Sequence, residues 1–176
     1  MTAAKDVLRY LKHSILGGPA GDLVGYCDAD WASDATDRKS QSGFVFLLGD
    51  RPISWRSVKQ NLVATSSVEA EYISLSSAVS EALYLKQLLV ELGVASKTVV
   101  IHEDNMGVLH LAKNPGHHDR TKHFDVRLHR VRDYVSSKQI GLVHVRSQDQ
   151  LADGLTKPLK GVMFAKFKKA LLVGAC

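Results

Sequence analysis

The sequence predicts an α/β domain with one mixed β-sheet and helices on its faces. Three β-type segments follow one another between residues 23 and 58, and a long helical segment comes next. Strands and helices alternate after it, which requires crossover connections back to the same sheet. The predicted order of elements is therefore β-β-β-α-β-α-α-β-α.

The composition is that of a folded domain with basic clusters. The 176 residues are 45% hydrophobic and 23% charged, and the net charge is +5. Six Lys or Arg and four His lie between Lys113 and Arg132, and five further Lys follow from Lys157 onward. Clusters of this kind are typical of a surface that binds a polyanion.

The sequence favours neither a membrane protein nor a secreted one. No apolar run approaches the roughly 20 residues that span a bilayer, and the first ten residues lack the apolar core of a signal peptide. Cys27 and Cys176 are the two cysteines and lie far apart in the sequence. Such sparse cysteine usage indicates a reducing, intracellular setting.

The first part of the chain is interpreted as a helix followed by three antiparallel strands. Residues 1–21 are predicted to form a helix over 3–14 and a linker, outside the main domain of residues 22–159. The strands are predicted over 23–29, 43–48 and 53–58, because each is apolar and bounded by polar or turn-forming residues. The sequence GDRP at 49–52 is typical of a hairpin turn.

The clearest helix is predicted over 65–91. Ser66 and Glu69 match a capping box, in which the two side chains reciprocally satisfy free backbone N–H groups. The later elements are a strand over 98–104, a helix over 105–113, a helix over 123–137, a strand over 139–146, and a helix from Ser147 that begins with a second capping-box pattern. A basic tail over 160–176 is expected to contain a last helix.

Four acidic residues are attached to apolar elements: Asp28, Glu71, Asp104 and Asp153. A carboxylate at the edge of a buried element must be paired or must bind a cation. Four carboxylates in such positions predict a divalent-metal site, provided that the fold brings them together.

Each of these acids has a neighbouring competitor. Helical periodicity separates Glu71 from Glu69, because a stripe of apolar residues starts at Glu71 and Glu69 belongs to the capping box. Asp28 directly follows the apolar run and is favoured over Asp30, although both project from the same side of a strand. Periodicity leaves open the choices between Glu103 and Asp104 and between Asp149 and Asp153.

Eight segments together resemble the ribonuclease H domain of copia-type LTR retrotransposon polyproteins. They are GYCDADWA (25–32), DRKS (37–40), ISW (53–55), SSVEAEY (66–72), DN (104–105), AKNP (112–115), RTKH (120–123) and ADGLTKP (152–158). The resemblance runs in unbroken order over residues 22–159. It implies a ribonuclease H-like fold, with a mixed five-stranded sheet flanked by helices.

The resemblance also implies a function and its site. Asp28, Glu71, Asp104 and Asp153 would be the catalytic and metal-binding carboxylates, which selects Asp28 over Asp30 and Asp153 over Asp149. Two Mg²⁺ ions, replaceable by Mn²⁺, would support hydrolysis of the RNA strand of RNA–DNA hybrids by two-metal-ion catalysis. The alternative is a non-catalytic, hybrid-binding domain of the connection type, which the presence of all four acids disfavours.

Partners and setting follow from the same resemblance. The nucleic-acid contacts are expected at Ser66, Ser67, Asn105, Arg38, Lys39, Lys59, Arg120 and Lys122. The reverse transcriptase domain of the same polyprotein would be a partner, no membrane would be involved, and the isolated domain would be a monomer. The implied location is the cytoplasm, in virus-like particles of a retrotransposon.

Overall fold

The structure is a computed structural model that describes residues 21–49, 51–93, 97–114 and 122–171, with side chains from residue 126 onward in the last range. Its centre is a five-stranded sheet in the order β3-β2-β1-β4-β5. The strands are β1 Leu23–Asp30, β2 Gln41–Leu48, β3 Arg51–Lys59, β4 Val99–Glu103 and β5 Ile140–His144. The predicted helix over 3–14 and the turn residue Asp50 lie outside the described residues.

Among the described residues, four α-helices accompany the sheet: α1 Ser67–Glu91, α2 Met106–Lys113, α3 Lys122–Ser136 and α4 Gly161–Leu171. The predicted mixed five-stranded sheet with flanking helices is thereby confirmed. The division into segments 1–21, 22–159 and 160–176 stays a prediction. Within the described ranges, no helix combines the length and the apolar character needed to cross a bilayer.

The α-helix predicted to begin at Ser147 is wrong. Two short 3-10 helices, Ser147–Asp149 and Leu151–Leu155, take its place. The expected capping box is absent because the Ser147 hydroxyl donates to Asp104 Oδ2 at 2.6 Å, and no side chain caps the first 3-10 helix. The Gln150 side chain instead caps the second one, accepting a bond from Ala152 N.

Strand β1 is the centre of the sheet and carries the first acid. It pairs antiparallel with β2, where Asp28 faces Gly43, and parallel with β4. The C-terminal ends of two parallel strands meet at the same edge of a sheet. Asp28 near the end of β1 and Asp104 just after β4 are consequently delivered to one edge.

Helix α1 packs on the sheet as its periodicity predicts. The stripe that begins at Glu71 is buried throughout and continues through Leu75, Ala78, Ala82, Leu85 and Leu89. At the start of the helix, Ser66 Oγ accepts from Glu69 N at 3.2 Å. The predicted reciprocal bond is shifted by one residue, since the Glu69 carboxylate accepts from Thr65 N at 2.7 Å.

Helix α4 packs on the segment that carries Asp153. A Cβ atom at Gly154 would lie 2.6 Å from the Phe167 ring, so the glycine is what permits this close contact. Lys166 adds an ion pair to Asp149 at 3.1 Å. The tail helix is therefore attached to the 149–154 segment by one close packing contact and one ion pair.

Gly43 provides a direct test of how the acidic edge is assembled. A Cβ there would lie 2.8 Å from Leu155 Cβ and 2.9 Å from Thr156 Cγ2. We expect Gly43→Ala to lower the free energy of unfolding by about 1–3 kcal/mol through overpacking, measured by urea denaturation. Gly141→Ala in β5 is the matched control, because its nearest neighbour would be at an ordinary 3.5 Å. Equal stabilities of the two variants would contradict this account.

Candidate metal centre

Three of the four predicted acids meet at the edge of the sheet. Asp28 comes from β1, Glu71 from the early part of α1 and Asp104 from the residue after β4. Each offers a carboxylate oxygen, and these oxygens lie within 4.8 Å of one another. Asp28 and Glu71 are buried and Asp104 is half-buried, so the cluster opens to solvent on the side of Asp104.

Asp153 lies beside this group. It belongs to the second 3-10 helix, and its side chain is buried. Lys157 Nζ is 2.9 Å from Asp153 Oδ1 and 4.0 Å from Asp28 Oδ2, which places the two carboxylates around one ammonium. All four predicted acids thus lie at the same end of the sheet, although their assignment as catalytic residues stays a prediction.

Two of the competing acids, Glu69 and Asp149, form contacts away from the cluster. Glu69 is bonded to Thr65, and Asp149 forms ion pairs with Lys166 and Arg146. Asp30 is half-buried at the end of β1. None of these three belongs to the described group of carboxylates that could hold a metal ion.

Glu103 lies behind the acids and is fully buried. Its Oε2 accepts a bond from Cys27 Sγ at 3.3 Å, and its Oε1 accepts from Asn105 N at 3.1 Å. Burial, with the nearby charges of Asp104 and Asp28, raises its pKa to about 8. Glu103 therefore fixes the backbone that leads from Asp104 into α2. Asp104, and not Glu103, is the acid on the solvent-exposed side of the cluster.

Hydroxyl groups orient two of the acids. Thr156 Oγ1 donates to Asp28 Oδ2, and Ser147 Oγ donates to Asp104 Oδ2 at 2.6 Å. Sequence reasoning missed Thr156, Ser147 and Lys157 as parts of this site. Thr156 and Lys157 lie within the ADGLTKP segment, but no local pattern indicates that they reach a strand more than 120 residues earlier.

Burial of the cluster disfavours its negative charge. Desolvation is the main cause that raises the pKa of Asp28 to about 6, against the opposing effects of Thr156 and Lys157. Burial, followed by Glu103, Asp28 and Asp104, raises the pKa of Glu71 to about 10. The pKa of Asp153 is also raised by burial, although Lys157 counteracts it. A cation in the cluster would reverse these shifts.

The donor atoms fit a hard divalent ion. Glu71 Oε2 is buried and has no hydrogen-bond partner among the described residues, and Asp153 Oδ1 is buried against the Lys157 ammonium. Buried carboxylate oxygens without partners are costly unless a cation completes them. All the candidate ligands are carboxylate oxygens, which Mg²⁺ and Mn²⁺ prefer. The residues present therefore fit such an ion.

A shallow hollow of about 500 Å³ adjoins the cluster. Lys39 and Lys59 line it together with the 154–158 segment. Lys59 also pairs with Asp34 at 2.5 Å and with Asp37 at 3.0 Å, so its charge is partly balanced in the protein alone. Arg38 is exposed on the same loop, with a positive φ of 58°.

The other predicted nucleic-acid residues are distributed as follows. Ser66 is the N-cap of α1 and Ser67 is exposed at its first position. Asn105 caps α2, its Oδ1 accepting from Gly107 N at 2.9 Å and from Val108 N at 3.3 Å. Arg120 lies outside the described residues, as does the side chain of Lys122. Their role in binding stays a prediction.

Part of the basic block has a structural role. Arg132 Nε donates to Leu111 O at 2.8 Å, and its Nη2 donates to Asn114 O at 2.7 Å. These bonds satisfy carbonyl groups at the C-terminal end of α2. Arg132 thereby links α3 to the C-terminal end of α2.

The fold is that of ribonuclease H. The structure matches LC11-RNase H1, solved in complex with an RNA/DNA hybrid, with a TM-score of 0.55 and 12% identity over 77% of this chain and 94% of that chain. It also matches the N-terminal RNase H domain of a Mycobacterium tuberculosis protein, with a TM-score of 0.53 and 15% identity over 89% of this chain and 100% of that one. No protein-family model matches the sequence.

Sequence relatives identify the family more narrowly. The chain is 44% identical over 176 aligned residues to the Pol polyprotein of transposon RE2 from Arabidopsis thaliana, covering 96% of the chain. It is 39% identical over 160 residues to that of transposon TNT 1-94 from Nicotiana tabacum, covering 88% of the chain. These relatives are copia-type retrotransposon Pol polyproteins, and the chain spans 12% of the length of each.

The raised pKa values predict how stability depends on pH without metal. A carboxyl whose pKa is higher in the folded than in the unfolded protein destabilises the fold as it ionises. The window runs from the ordinary values of 3.8 and 4.5 up to about 6 for Asp28, 8 for Glu103 and 10 for Glu71. We therefore expect the Tm in EDTA to fall between pH 6 and pH 9, and Mg²⁺ to raise the Tm more at pH 9.

Glu71→Gln is the control for this prediction. It removes the group with the most raised pKa among the four acids, so the Tm in EDTA should depend less on pH. Differential scanning calorimetry measures both proteins in the same buffers. A wild-type Tm in EDTA that rises over this pH interval would contradict the account.

Proposed function

We propose that the chain is a ribonuclease H that hydrolyses the RNA strand of RNA–DNA hybrids by two-metal-ion catalysis during retrotransposon reverse transcription. The observation that carries the proposal is the convergence of the carboxylates of Asp28, Glu71 and Asp104 within 4.8 Å, with Asp153 beside them. The ribonuclease H fold and the relation to Pol polyproteins support the same reaction.

The acids would hold two Mg²⁺ ions, or Mn²⁺ in their place. Asp28, Glu71 and Asp104 would bind one ion, and Asp28 with Asp153 the other. Bound divalent ions polarise a phosphodiester and make water nucleophilic near neutral pH. The chain itself keeps the carboxylates in position: Thr156 holds Asp28, Ser147 holds Asp104, and Glu103 holds the backbone between Asp104 and α2.

The substrate would lie across the cluster and the adjoining hollow. Lys39 and Lys59 line this hollow, where phosphate groups would compete with Asp34 and Asp37 for the two ammonium groups. Arg38, Arg120 and Lys122 would add phosphate contacts, whose strength falls with salt. Ser66, Ser67 and Asn105 would approach the minor groove, where ribose 2′-hydroxyls distinguish RNA from DNA.

The relation to Pol polyproteins suggests the wider setting that we propose. The domain would act beside the reverse transcriptase domain of the same polyprotein, within cytoplasmic virus-like particles. As an isolated domain it would be a monomer and would not require a membrane.

Asp28→Asn tests the catalytic assignment. Metal-ion stabilisation of a phosphoryl transition state is worth several kcal/mol, so we expect the cleavage rate to fall by roughly 1,000-fold or more. Cleavage is measured on a hybrid labelled on its RNA strand, with Mg²⁺ and with EDTA, and RNA and DNA duplexes of the same sequence serve as other substrates. Hybrid binding should change little.

Asp30→Asn is the matched control, two residues along the same strand and outside the cluster. It should cleave at the wild-type rate. A wild-type chain that binds the hybrid but does not cleave it would favour the non-catalytic, hybrid-binding domain. Wild-type cleavage by Asp28→Asn would contradict the proposed mechanism.

Thr156→Val tests the orientation of Asp28. The substitution keeps the branched shape and removes the hydroxyl that donates to Asp28 Oδ2. Loss of a hydrogen bond to a charged group costs about 1.5–3 kcal/mol, so we expect kcat to fall at least about tenfold. Thr156→Ser retains the hydroxyl and should retain most of the activity. Equal rates for the two variants would exclude this role.

A further inference from the structure

Lys157 covers one end of the acidic cluster. Its Nζ lies 2.9 Å from Asp153 Oδ1 and 4.0 Å from Asp28 Oδ2. The side chains of these two acids are only 5% and 3% exposed, whereas that of Lys157 is 41% exposed. The ammonium therefore stands at the solvent side of two buried carboxylates.

The two ends of the cluster differ in what faces them. At one end, Asp28, Glu71 and Asp104 converge on one another, and Glu71 Oε2 has no partner among the described residues. At the other end, Asp28 and Asp153 already face a positive charge. A divalent ion would thus meet the Lys157 ammonium directly at the second end, whereas at the first end the ammonium contacts only Asp28, at 4.0 Å.

The contact between Lys157 and Asp153 is suited to being broken. It is an ion pair at 2.9 Å whose lysine side chain is partly exposed, so water can replace the carboxylate at the ammonium. Lysine is a point charge on a flexible four-carbon chain, so it can turn away without disrupting a fixed geometry. Moving away does not require burial, because Lys157 also lines the hollow that contains Lys39 and Lys59.

We propose that Lys157 is a built-in counter-ion that occupies the Asp28–Asp153 end of the cluster and must withdraw before a second divalent ion binds there. The inference rests on the proposed function, in which these acids hold two ions. The two ions would therefore bind with different affinities: the first binds at the three-carboxylate end, and the second, weaker ion competes with the Lys157 ammonium.

Substrate would then favour the second ion. A phosphodiester in the adjoining hollow offers Lys157 another negative partner, and this draws the ammonium away from Asp28 and Asp153. Withdrawal of one positive charge strengthens the attraction between the vacated carboxylates and a divalent ion. Occupancy of the second position is in this way coupled to the presence of nucleic acid.

Lys157→Met tests the inference without substrate and without activity. Methionine is an unbranched side chain that carries no charge. The free Mn²⁺ remaining in a titration of the chain at pH 8 is measured by electron paramagnetic resonance. We expect the dissociation constant of the weaker Mn²⁺ to fall about fivefold or more in the variant, because one partly solvated like charge has been removed. The tighter Mn²⁺ should change much less.

Lys166→Met is the matched control. Lys166 also forms a lysine–aspartate pair, with Asp149 at 3.1 Å, but outside the acidic cluster. The control should bind Mn²⁺ as the wild type does. Lys157→Arg keeps the positive charge and should retain the weak second binding event.

Thermal unfolding separates this role from simple packing. In EDTA, Lys157→Met should have a lower Tm than the wild type, since the buried acids lose their counter-ion. At saturating Mn²⁺ the difference should vanish or reverse. A lysine with only a structural role would lower the Tm equally in both conditions and would not tighten Mn²⁺ binding.

The outcomes distinguish this inference from the proposed function. Unchanged Mn²⁺ binding in Lys157→Met, with hybrid cleavage by the wild type, would overturn the counter-ion role and leave the nuclease assignment intact. A wild-type chain that binds one Mn²⁺, with a variant that binds two, would support the inference as well. A wild type that neither binds Mn²⁺ nor cleaves the hybrid would overturn both.

Discussion

The rest of the structure depends on one constraint: the carboxylates around Asp28 are buried, so their negative charge is removed from water. Asp28, Glu71 and Asp153 are all buried, and burial is the main cause that raises the pKa of each. When no metal ion is bound, the repulsion between these carboxylates is limited by bound protons, by the Thr156 hydroxyl and by the Lys157 ammonium. The acidic edge is therefore the part of the fold that gains most from a bound cation.

This edge is held by hydrogen bonds that reach across the sheet. Ser74 Oγ on α1 donates to Asp28 O at 2.8 Å, and Gln150 Nε2 donates to Cys27 O at 2.9 Å. These bonds attach a helix and the 3-10 segment to the same strand. Gly43 permits the close approach of that segment, as Gly154 does for α4. Such supports restrict how far the carboxylates can relax away from one another.

The parts of the fold and of the site that depend on local periodicity could be predicted from the sequence. The helical stripe beginning at Glu71 distinguishes it from Glu69, and the order of strands and helices follows from the apolar pattern. Asp28 and Asp30 share one face of a strand, so resemblance and not periodicity selected between them. The 3-10 helices were missed because Ser147 is used by Asp104, which lies 43 residues earlier in the chain. Contacts of that kind, including those of Thr156 and Lys157, leave no local pattern.

The energetics of the cluster favour a site that binds cations over a surface that only binds a hybrid. A domain that only bound a hybrid would require positive charge toward the phosphates, and buried carboxylates at the binding face oppose this. Amides of the same shape would fill the same space without the desolvation of charge. Four acids at one edge, with Glu71 Oε2 unsatisfied among the described residues, are costly without a bound metal, and divalent ions would offset this cost. The same arrangement is what the proposed metal site requires.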